Sequence, residues 1–162
     1  PNIKVTILGK NPTPKLKKCI DKTNDVEHIE FVQNYADFLA QDWVYVYPQK
    51  CATGLQTKVQ QALALGLPVV GYQVSFGGLS LDNGTHCYIC NNGDDMTKNV
   101  IRLIGDIKLR QKIGTNAAKY IRQNFSIDII GRQMIELYYK ILKLDKSFDR
   151  YPDETNNISK NG

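Results

Sequence analysis

The chain has 162 residues, of which 42% are hydrophobic and 23% are charged, and its formal net charge is +5. This length and composition describe one globular domain that can bury its own core. No apolar run approaches the ~18–20 residues of a membrane-spanning helix, and no signal peptide is recognisable. The basic residues are scattered over predicted helices, which favours a solvated basic face over a nucleic-acid partner.

Strands and helices alternate along the first ninety or so residues. Runs rich in β-branched and aromatic residues predict strands, and apolar residues spaced by three and four predict helices. The predicted strands are residues 3–8, 26–32, 43–47, 68–71 and 86–90. The predicted helices between them are residues 14–20, 37–40 and 56–65. Residues 72–84 are predicted to form a loop with little secondary structure.

Three further helices are predicted in the second half of the chain, at residues 95–104, 109–124 and 126–142. Ser126 is expected to cap the last of them, which is amphipathic. We expect residues 1–144 to form one Rossmann-like domain. Residues 145–162 turn polar and lose their periodicity, which predicts a disordered tail.

This alternation predicts an α/β fold, a parallel sheet with helices on both faces. Ligands of such folds bind at the carboxyl ends of the strands, near the switch in strand order. Glycines and polar residues gather at these ends, in residues 9–11, 32–34, 48–57 and 71–78. Tight turns of any α/β domain also need glycine, so this clustering alone does not define a site.

The four cysteines do not form the framework of a secreted, disulfide-stapled domain. Cys87 and Cys90 have a C-x-x-C spacing but lie in a strand-like run, where residues three apart point to opposite faces. We therefore expect reduced structural thiols, with a redox pair or a metal site as the weaker alternatives.

Residues 53–71 carry the most informative pattern of the chain. Gly54 opens an amphipathic helix, Gly66 closes it, and Pro68 leads into a buried apolar strand. A loop-to-helix junction of this kind presents free backbone N–H groups and the positive end of a helix dipole. The pattern therefore predicts a phosphate-binding site at the start of the helix.

Six segments, taken in order, resemble the C-terminal half of a family 4 retaining glycosyltransferase with the GT-B fold. They are PNIKVTILGKNPTP (1–14), VEHIEFV (26–32), DWVYVYP (42–48), GLQTKVQQALALGLPVVG (54–71), FGGL (76–79) with Gly84, and LRQKIG (109–114) with Phe125 and Ser126. The resemblance extends to about Leu142. It implies a Rossmann-like donor-binding domain whose ligand is a nucleotide-diphosphate sugar, UDP- or GDP-linked.

The resemblance also implies which residues hold the diphosphate. Backbone N–H groups at the start of the helix would bind it, namely those of Gly54, Leu55, Gln56 and Thr57. The basic residues nearest this predicted site are Lys10, which follows Gly9, and Lys58. Lys58 either faces the diphosphate or lies on the helix surface, and the sequence leaves both open.

The nucleobase and the sugar would lie on neighbouring loops. By the same resemblance, the nucleobase would be edged by Phe31, Val32 and Gln33. Tyr72 and Phe76, after the strand at 68–71, either flank the sugar or cover the sheet, and we favour packing against the sheet.

Two residues depart from the family pattern. Relatives bond the ribose hydroxyls with a Glu where this chain has Gln61, and the first Glu of their paired signature falls on Thr53. Charge-assisted hydrogen bonds are about twice as strong as neutral ones, although Gln keeps both an acceptor and a donor. We expect a cost of about 1–2 kcal/mol, or about tenfold weaker donor binding. The alternative is a retired site in a non-catalytic interaction module, with Gln61 a solvated helix residue.

Parts of the family's machinery would precede Pro1, so we expect a segment of a longer polypeptide. Relatives carry a basic Arg–Lys pair on and after a strand at the centre of the sheet, and an N-terminal lobe that binds the acceptor. No catalytic residue is assigned, and we expect no sugar transfer by this chain alone. A sheet edge left unpaired by the missing strand offers a route to self-association.

The parent enzyme would act in polysaccharide, lipopolysaccharide or glycoprotein assembly, on a glycan, lipid-linked or protein acceptor. We expect it in the cytoplasm, peripheral to a membrane where its acceptor is lipid-linked. The chain has no Asp-x-Asp, which agrees with a metal-independent enzyme whose only small ligand is the donor. Another α/β nucleotide binder, such as a sugar-nucleotide epimerase-like domain, stays an alternative, although no Gly-x-Gly-x-x-Gly follows the first strand.

Overall fold

The computed structural model describes residues 3–143 and confirms the predicted α/β fold. Its strands are β1 (Val5–Leu8), β2 (Val26–Ile29), β3 (Tyr45–Tyr47), β4 (Val69–Tyr72) and β5 (Tyr88–Cys90). Its helices are α1 (Pro14–Ile20), α2 (Tyr35–Leu39), α3 (Thr57–Ala64), α4 (Gly93–Gly105), α5 (Ile107–Phe125) and α6 (Ile127–Leu142). The predicted tail, residues 145–162, lies outside the described residues.

The chain divides into two compact units, Pro1–Ala118 and Lys119–Gly162, with the boundary inside α5. The described part of the first unit contains β1 to β5 and α1 to α4. A 3₁₀ turn, Gln73–Phe76, follows β4 within the stretch expected to be a loop. Strand β2 ends at Ile29, three residues before its predicted end. Among residues 3–143, no helix is long and apolar enough to cross a membrane.

Every strand pairing is parallel, as the alternation of strands and helices predicts. β1 pairs with β2 from Val5 opposite Val26 to Leu8 opposite Ile29. In the second sheet β4 is central, with β3 on one side and β5 on the other. The carboxyl ends of β3 and β4 therefore lie side by side, where a ligand of such a fold would bind.

The strands form two sheets rather than one continuous sheet. Within residues 3–143, β1 pairs only with β2, and β3 is an edge strand that pairs only with β4. Val5 in β1 is 49% exposed and Val46 in β3 is 38% exposed, which is unusual for apolar strands of a doubly covered sheet. Periodicity predicts strands but not their neighbours, whereas the family resemblance leads us to expect an unpaired sheet edge.

Helix α3 packs its apolar face on the core and ends at a glycine. Val59, Ala62 and Leu63 are fully buried at the spacing of one helical face. The helix ends because Gly66 adopts φ +79°. In this conformation the N–H of Gly66 donates to the carbonyl of Leu63, and the N–H of Leu67 donates to the carbonyl of Ala62. This is a Schellman motif, and it fixes the path of the chain into β4.

A hydrophobic core lies beneath β4 and β5 and is completed by α4 and the first part of α5. Its buried members are Val70, Tyr88, Cys90, Met96, Leu103 and Ile113. Tyr72 packs against this cluster, and Phe76 is 1% exposed. Both aromatic residues therefore cover the sheet, which is the alternative that the sequence favoured.

The second unit is described for residues 119–143. Ser126 caps α6 as predicted, with its Oγ accepting from the N–H of Ile129 at 3.4 Å. The Tyr120 and Phe125 rings lie 6.0 Å apart at the end of α5. Helix α6 has no buried residue, and apolar side chains such as Met134 and Leu137 are about half exposed.

Candidate functional site

The loop that joins β3 to α3, residues 48–56, forms the centre of the candidate site. It leaves the sheet at the carboxyl end of β3 and enters α3 at Thr57. Gly54 adopts φ +65°, in the left-handed region that suits glycine, and faces open space. Of the four predicted diphosphate residues, Gly54, Leu55 and Thr57 are exposed and Gln56 is half-buried, and the neighbouring Lys58 is exposed.

The amino end of α3 has no side-chain cap. The first helical hydrogen bond runs from the N–H of Gln60 to the carbonyl of Gln56, so the N–H groups of Thr57, Lys58 and Val59 precede the helical ladder. No hydrogen bond within residues 3–143 is recorded for these three groups. Free N–H groups at a helix start carry the positive end of the dipole and attract an anion.

The side chain of Gln56 holds the 48–56 loop. Its Nε2 donates to the carbonyl oxygens of Thr53 at 3.1 Å and Gly54 at 3.2 Å. Its Oε1 accepts from the hydroxyl of Tyr47 at 2.9 Å. Sequence reasoning gave Gln56 only a backbone role, because a glutamine at a helix start is not a recognised capping residue.

The segment after β4 supports the same loop from its other side. Ser75 is fully buried and donates its hydroxyl to the carbonyl of Tyr47 at 3.1 Å. A Cβ on Gly77 would lie 3.5 Å from the carbonyl oxygen of Gly54, and one on Gly78 would lie 3.4 Å from Leu55 Cδ1. The two loops therefore lie close together at the carboxyl ends of β3 and β4.

A second group of predicted residues lies at the carboxyl ends of β1 and β2. Phe31 is 71% exposed, and the Lys10 ammonium lies 5.8 Å from the centre of its ring. Gly9 is tied to β2 through its N–H to Ile29 at 3.0 Å and through its carbonyl, which accepts from His28 Nε2 at 2.7 Å. His28 was not predicted as part of the site, and its bond fixes the strand end that carries Lys10.

The remaining nucleobase residues, Val32 and Gln33, follow Phe31 and are half-buried and exposed respectively. The structure thus brings Lys10 and Phe31 together at one place and the diphosphate residues together at another. No contact between the two groups is recorded among the described residues. A cavity of about 250 Å³ beside His28 is lined by residues in and next to α1 and β2, and none of them is a predicted ligand-binding residue.

Gln61 and Lys58 lie on the exposed face of α3, three residues apart and therefore neighbours on the helix surface. Both are exposed, whereas Val59, Ala62 and Leu63 of the same helix are buried. Their positions suit contacts with a ligand that binds at the start of the helix, and equally suit solvation.

The cysteines carry no sign of a reactive site. Cys19 and Cys51 are exposed, whereas Cys87 and Cys90 are buried in and beside β5. Burial raises the pKa of the Cys87 thiol to about 12, with smaller contributions from Asp82 and Cys90. No group of three or more His, Cys, Asp or Glu residues suited to a metal ion occurs in the described part of the chain.

Solved structures of other proteins share this fold. Anabaena HepE in complex with UDP and glucose superposes with a TM-score of 0.76 at 18% identity, covering 86% of this chain and 41% of that one. Staphylococcus aureus TarM gives a TM-score of 0.73 at 20% identity, covering 84% and 28%. At these identities the likeness shows the fold alone, and it confirms the predicted Rossmann-like half of a GT-B architecture.

Curated relatives agree in class. The chain is 29% identical over 119 residues to N-acetyl-alpha-D-glucosaminyl L-malate synthase of Bacillus anthracis, covering 70% of this chain and 30% of the relative. It is 27% identical over 152 residues to the capsular polysaccharide biosynthesis glycosyltransferase CapM of Staphylococcus aureus, covering 88% and 39%. The chain therefore spans well under half the length of these relatives.

A family described as "Glycosyl transferases group 1" matches residues 1–106, which is more than half of the chain. The matched region contains both predicted groups of ligand-binding residues. Five of the six sequence segments lie within the matched residues, and the resemblance to a glycosyltransferase domain is thereby confirmed. The chain belongs to the group 1 glycosyl transferases.

Proposed function

We propose that this chain is the donor-binding lobe of a glycosyltransferase that uses a nucleotide-diphosphate sugar. The observation that carries the proposal is the uncapped start of α3, where the N–H groups of exposed Thr57 and Lys58 lie beside an exposed, glycine-containing loop. A diphosphate would satisfy these groups and meet the positive end of the helix dipole. Exposed Lys58 adds a positive charge to the same turn of the helix.

The Lys10–Phe31 pair would take the nucleobase. A ring that is 71% exposed loses solvent-accessible apolar surface when a flat base stacks on it. Stacking on an aromatic side chain contributes about 1–3 kcal/mol per base in single-stranded nucleic-acid complexes. The ammonium of Lys10 remains beside the ring, where it can meet phosphate or base oxygens.

Gln61 would bond the ribose hydroxyls in place of the Glu of relatives. Its amide can accept from one hydroxyl and donate to another, so the contact survives in weaker form. UDP is the first nucleotide to test, because Anabaena HepE was solved with UDP and with UDP-glucose. The finer features of the proposal are retention of configuration, independence of metal ions, and a glycan, lipid-linked or protein acceptor held by a further lobe.

A non-catalytic module is the second candidate. It is favoured by the replacement of both signature carboxylates, at Thr53 and Gln61, which leaves two exposed neutral side chains where relatives have acids. In such a module the fold would persist for interaction with another protein, and the start of α3 would bind no nucleotide.

The test is a titration of the 162-residue chain with UDP, GDP and UDP-glucose, read by amide NMR shifts, for the wild type and for Gln61→Glu. We expect saturable shifts at residues 54–58, and about tenfold tighter binding by the variant because a carboxylate makes stronger bonds to hydroxyls. Gln41→Glu is the matched control, since Gln41 is an exposed glutamine outside the site.

The outcomes separate the two candidates. Binding that tightens with Gln61→Glu but not with Gln41→Glu supports a working donor site with a weakened ribose contact. A Phe31→Ala variant should lose affinity for UDP and keep its affinity for pyrophosphate, because only the base contacts the ring. Absence of binding by a chain whose amide spectrum shows it folded would overturn the donor-site proposal for this chain.

A further inference from the structure

We propose that the side chain of Gln56 is a positioning residue: locked by Tyr47, it shapes the 48–56 loop and keeps the first N–H groups of α3 open to a diphosphate. The inference rests on the proposed function and adds how the site stays formed when no ligand is bound. It does not require Gln56 to touch the donor with its side chain.

The bonds of Gln56 use both ends of its amide. The nitrogen is shared between the carbonyl oxygens of Thr53 and Gly54, at 3.1 and 3.2 Å, and the oxygen accepts from Tyr47 at 2.9 Å. Fixing these two carbonyls fixes the direction of the peptide groups that precede the helix. The loop is thus shaped by one side chain rather than by a ladder of backbone bonds.

The position of Gln56 makes this arrangement unusual. It is the N-cap residue of α3, with φ −84° and ψ 95°, and an N-cap side chain ordinarily accepts from the second or third N–H of the helix. Such a bond would occupy the N–H of Lys58 or Val59. The Gln56 oxygen instead accepts from the hydroxyl of Tyr47, so the cap is not closed and the N–H of exposed Lys58 stays available.

Tyr47 is itself held by further contacts, which fix its hydrogen bond to Gln56 in place. Its carbonyl accepts from buried Ser75 at 3.1 Å, and its ring stacks on that of Tyr45 with centroids 6.3 Å apart. Its backbone is part of β3, which is paired with β4. The hydrogen bond between Tyr47 and Gln56 therefore connects the loop to the sheet.

The inference predicts that one substitution at Gln56 weakens UDP binding without lowering the stability of the protein. Ser is a favourable N-cap residue, so Gln56→Ser should close the cap on α3 and leave the melting temperature unchanged or raised. The same change removes the bonds to Thr53 and Gly54 and occupies a donor that the diphosphate needs. We expect about tenfold weaker UDP binding, the loss of roughly one to two net hydrogen bonds, with uridine binding unchanged.

The experiment measures UDP and uridine affinity by NMR titration, melting temperature, and exchange of the Lys58 and Val59 amide protons. The proteins are the wild type, Gln56→Ser, Tyr47→Phe and the double variant, each as the full chain. Gln41→Ser is the matched control, since it also removes a glutamine whose Nε2 donates to a backbone carbonyl, that of Asp37 at 3.3 Å. Tyr47→Phe should weaken UDP binding less than Gln56→Ser, and the double variant no more than Gln56→Ser alone.

Three results in Gln56→Ser would together support the inference. They are a lower ratio of UDP affinity to uridine affinity, slower amide exchange at Lys58 or Val59, and a melting temperature no lower than that of the wild type. An unchanged ratio in a chain that binds UDP overturns it. If the wild type does not bind UDP, the proposed function fails, and amide exchange then decides the remaining claim. Equal exchange at Lys58 and Val59 in the wild type and Gln56→Ser would show that Gln56 does not keep the helix start open.

Discussion

Gly114 meets the backbone of Gly66, and a methyl group on Gly114 would overlap with the Gly66 carbonyl oxygen. The two glycines belong to different elements: Gly114 lies within α5, and Gly66 ends α3 at φ +79°. The absence of both side chains allows the two backbones to touch. This contact fixes the end of α3, and through it the strand β4 that follows.

Replacing Gly114 with alanine should therefore destabilise the protein even though alanine is the better helix former. The added methyl group meets backbone atoms that cannot rotate away, so we expect a loss of about 2–3 kcal/mol in the free energy of unfolding. Urea denaturation followed by far-UV circular dichroism measures it. Gly131→Ala is the control, since Gly131 lies inside α6 with open space around it and should gain up to about 1 kcal/mol. Equal effects of the two substitutions would refute the steric argument.

Cys87 should make the protein lose stability at alkaline pH. Burial raises its pKa from about 9 to about 12 in the folded state, so the unfolded chain releases the proton first. A group with a raised pKa contributes stability that is present below its unfolded pKa and disappears as the pH rises toward the folded value. Between pH 9 and 10.5 the wild type should lose about 1.6 kcal/mol more than Cys87→Ala, because the slope rises from half of about 1.36 kcal/mol per pH unit to nearly all of it.

The variant is compared with the wild type because burial also raises the pKa of Tyr35 and of Tyr45, and both tyrosines remain in Cys87→Ala. Thiol labelling gives an independent check. At pH 8 the exposed thiols of Cys19 and Cys51 should react in the native protein, and Cys87 should react only after unfolding. If the free energy of unfolding changed with pH equally in the two proteins, the assignment of the alkaline loss of stability to Cys87 would be wrong.

The unpaired edge of β3 predicts self-association of the chain. An apolar edge strand with open backbone groups pairs readily with another copy, and lysine on such a strand opposes this pairing. Val46→Lys should shift the population toward monomer at concentrations where the wild type forms dimers, as measured by sedimentation velocity. A substitution such as Gln41→Lys adds the same charge away from the edge and should not change the distribution. A wild type that stays monomeric at millimolar concentration would contradict the prediction.

Sequence reasoning predicted the centre of the fold closely and its connections poorly. The helix expected at 56–65 is Thr57–Ala64, and the strand expected at 68–71 is Val69–Tyr72. Both are determined locally, by an apolar face at helical spacing and by a glycine that ends the helix. The separation of the strands into one sheet with β1 and another with β3 depends on contacts between distant segments, which periodicity does not encode.

The candidate site shows the same difference. Loop residues 54–57 were predicted because glycine and a helix start are visible in the chain itself. The role of the Gln56 side chain was not predicted, because it depends on the hydroxyl of Tyr47, nine residues earlier, and on the carbonyls of a folded loop. Cys87 and Phe76, by contrast, are buried as their apolar surroundings indicate. Hydrogen bonds of long polar side chains become predictable only once the backbone is in place.

The meeting of Gly66 with Gly114 also determines how α3 can move. At its carboxyl end the helix touches another backbone directly, whereas the bonds of Gln56 at its amino end are made by side chains. A rod held at one end moves most at the other, so a tilt of α3 about Gly66 would displace its amino end most. The lever is about eight residues, or roughly 12 Å, long at 1.5 Å per residue. A tilt of a few degrees at this pivot therefore shifts the far end of the helix, where the donor would bind, by somewhat less than 1 Å.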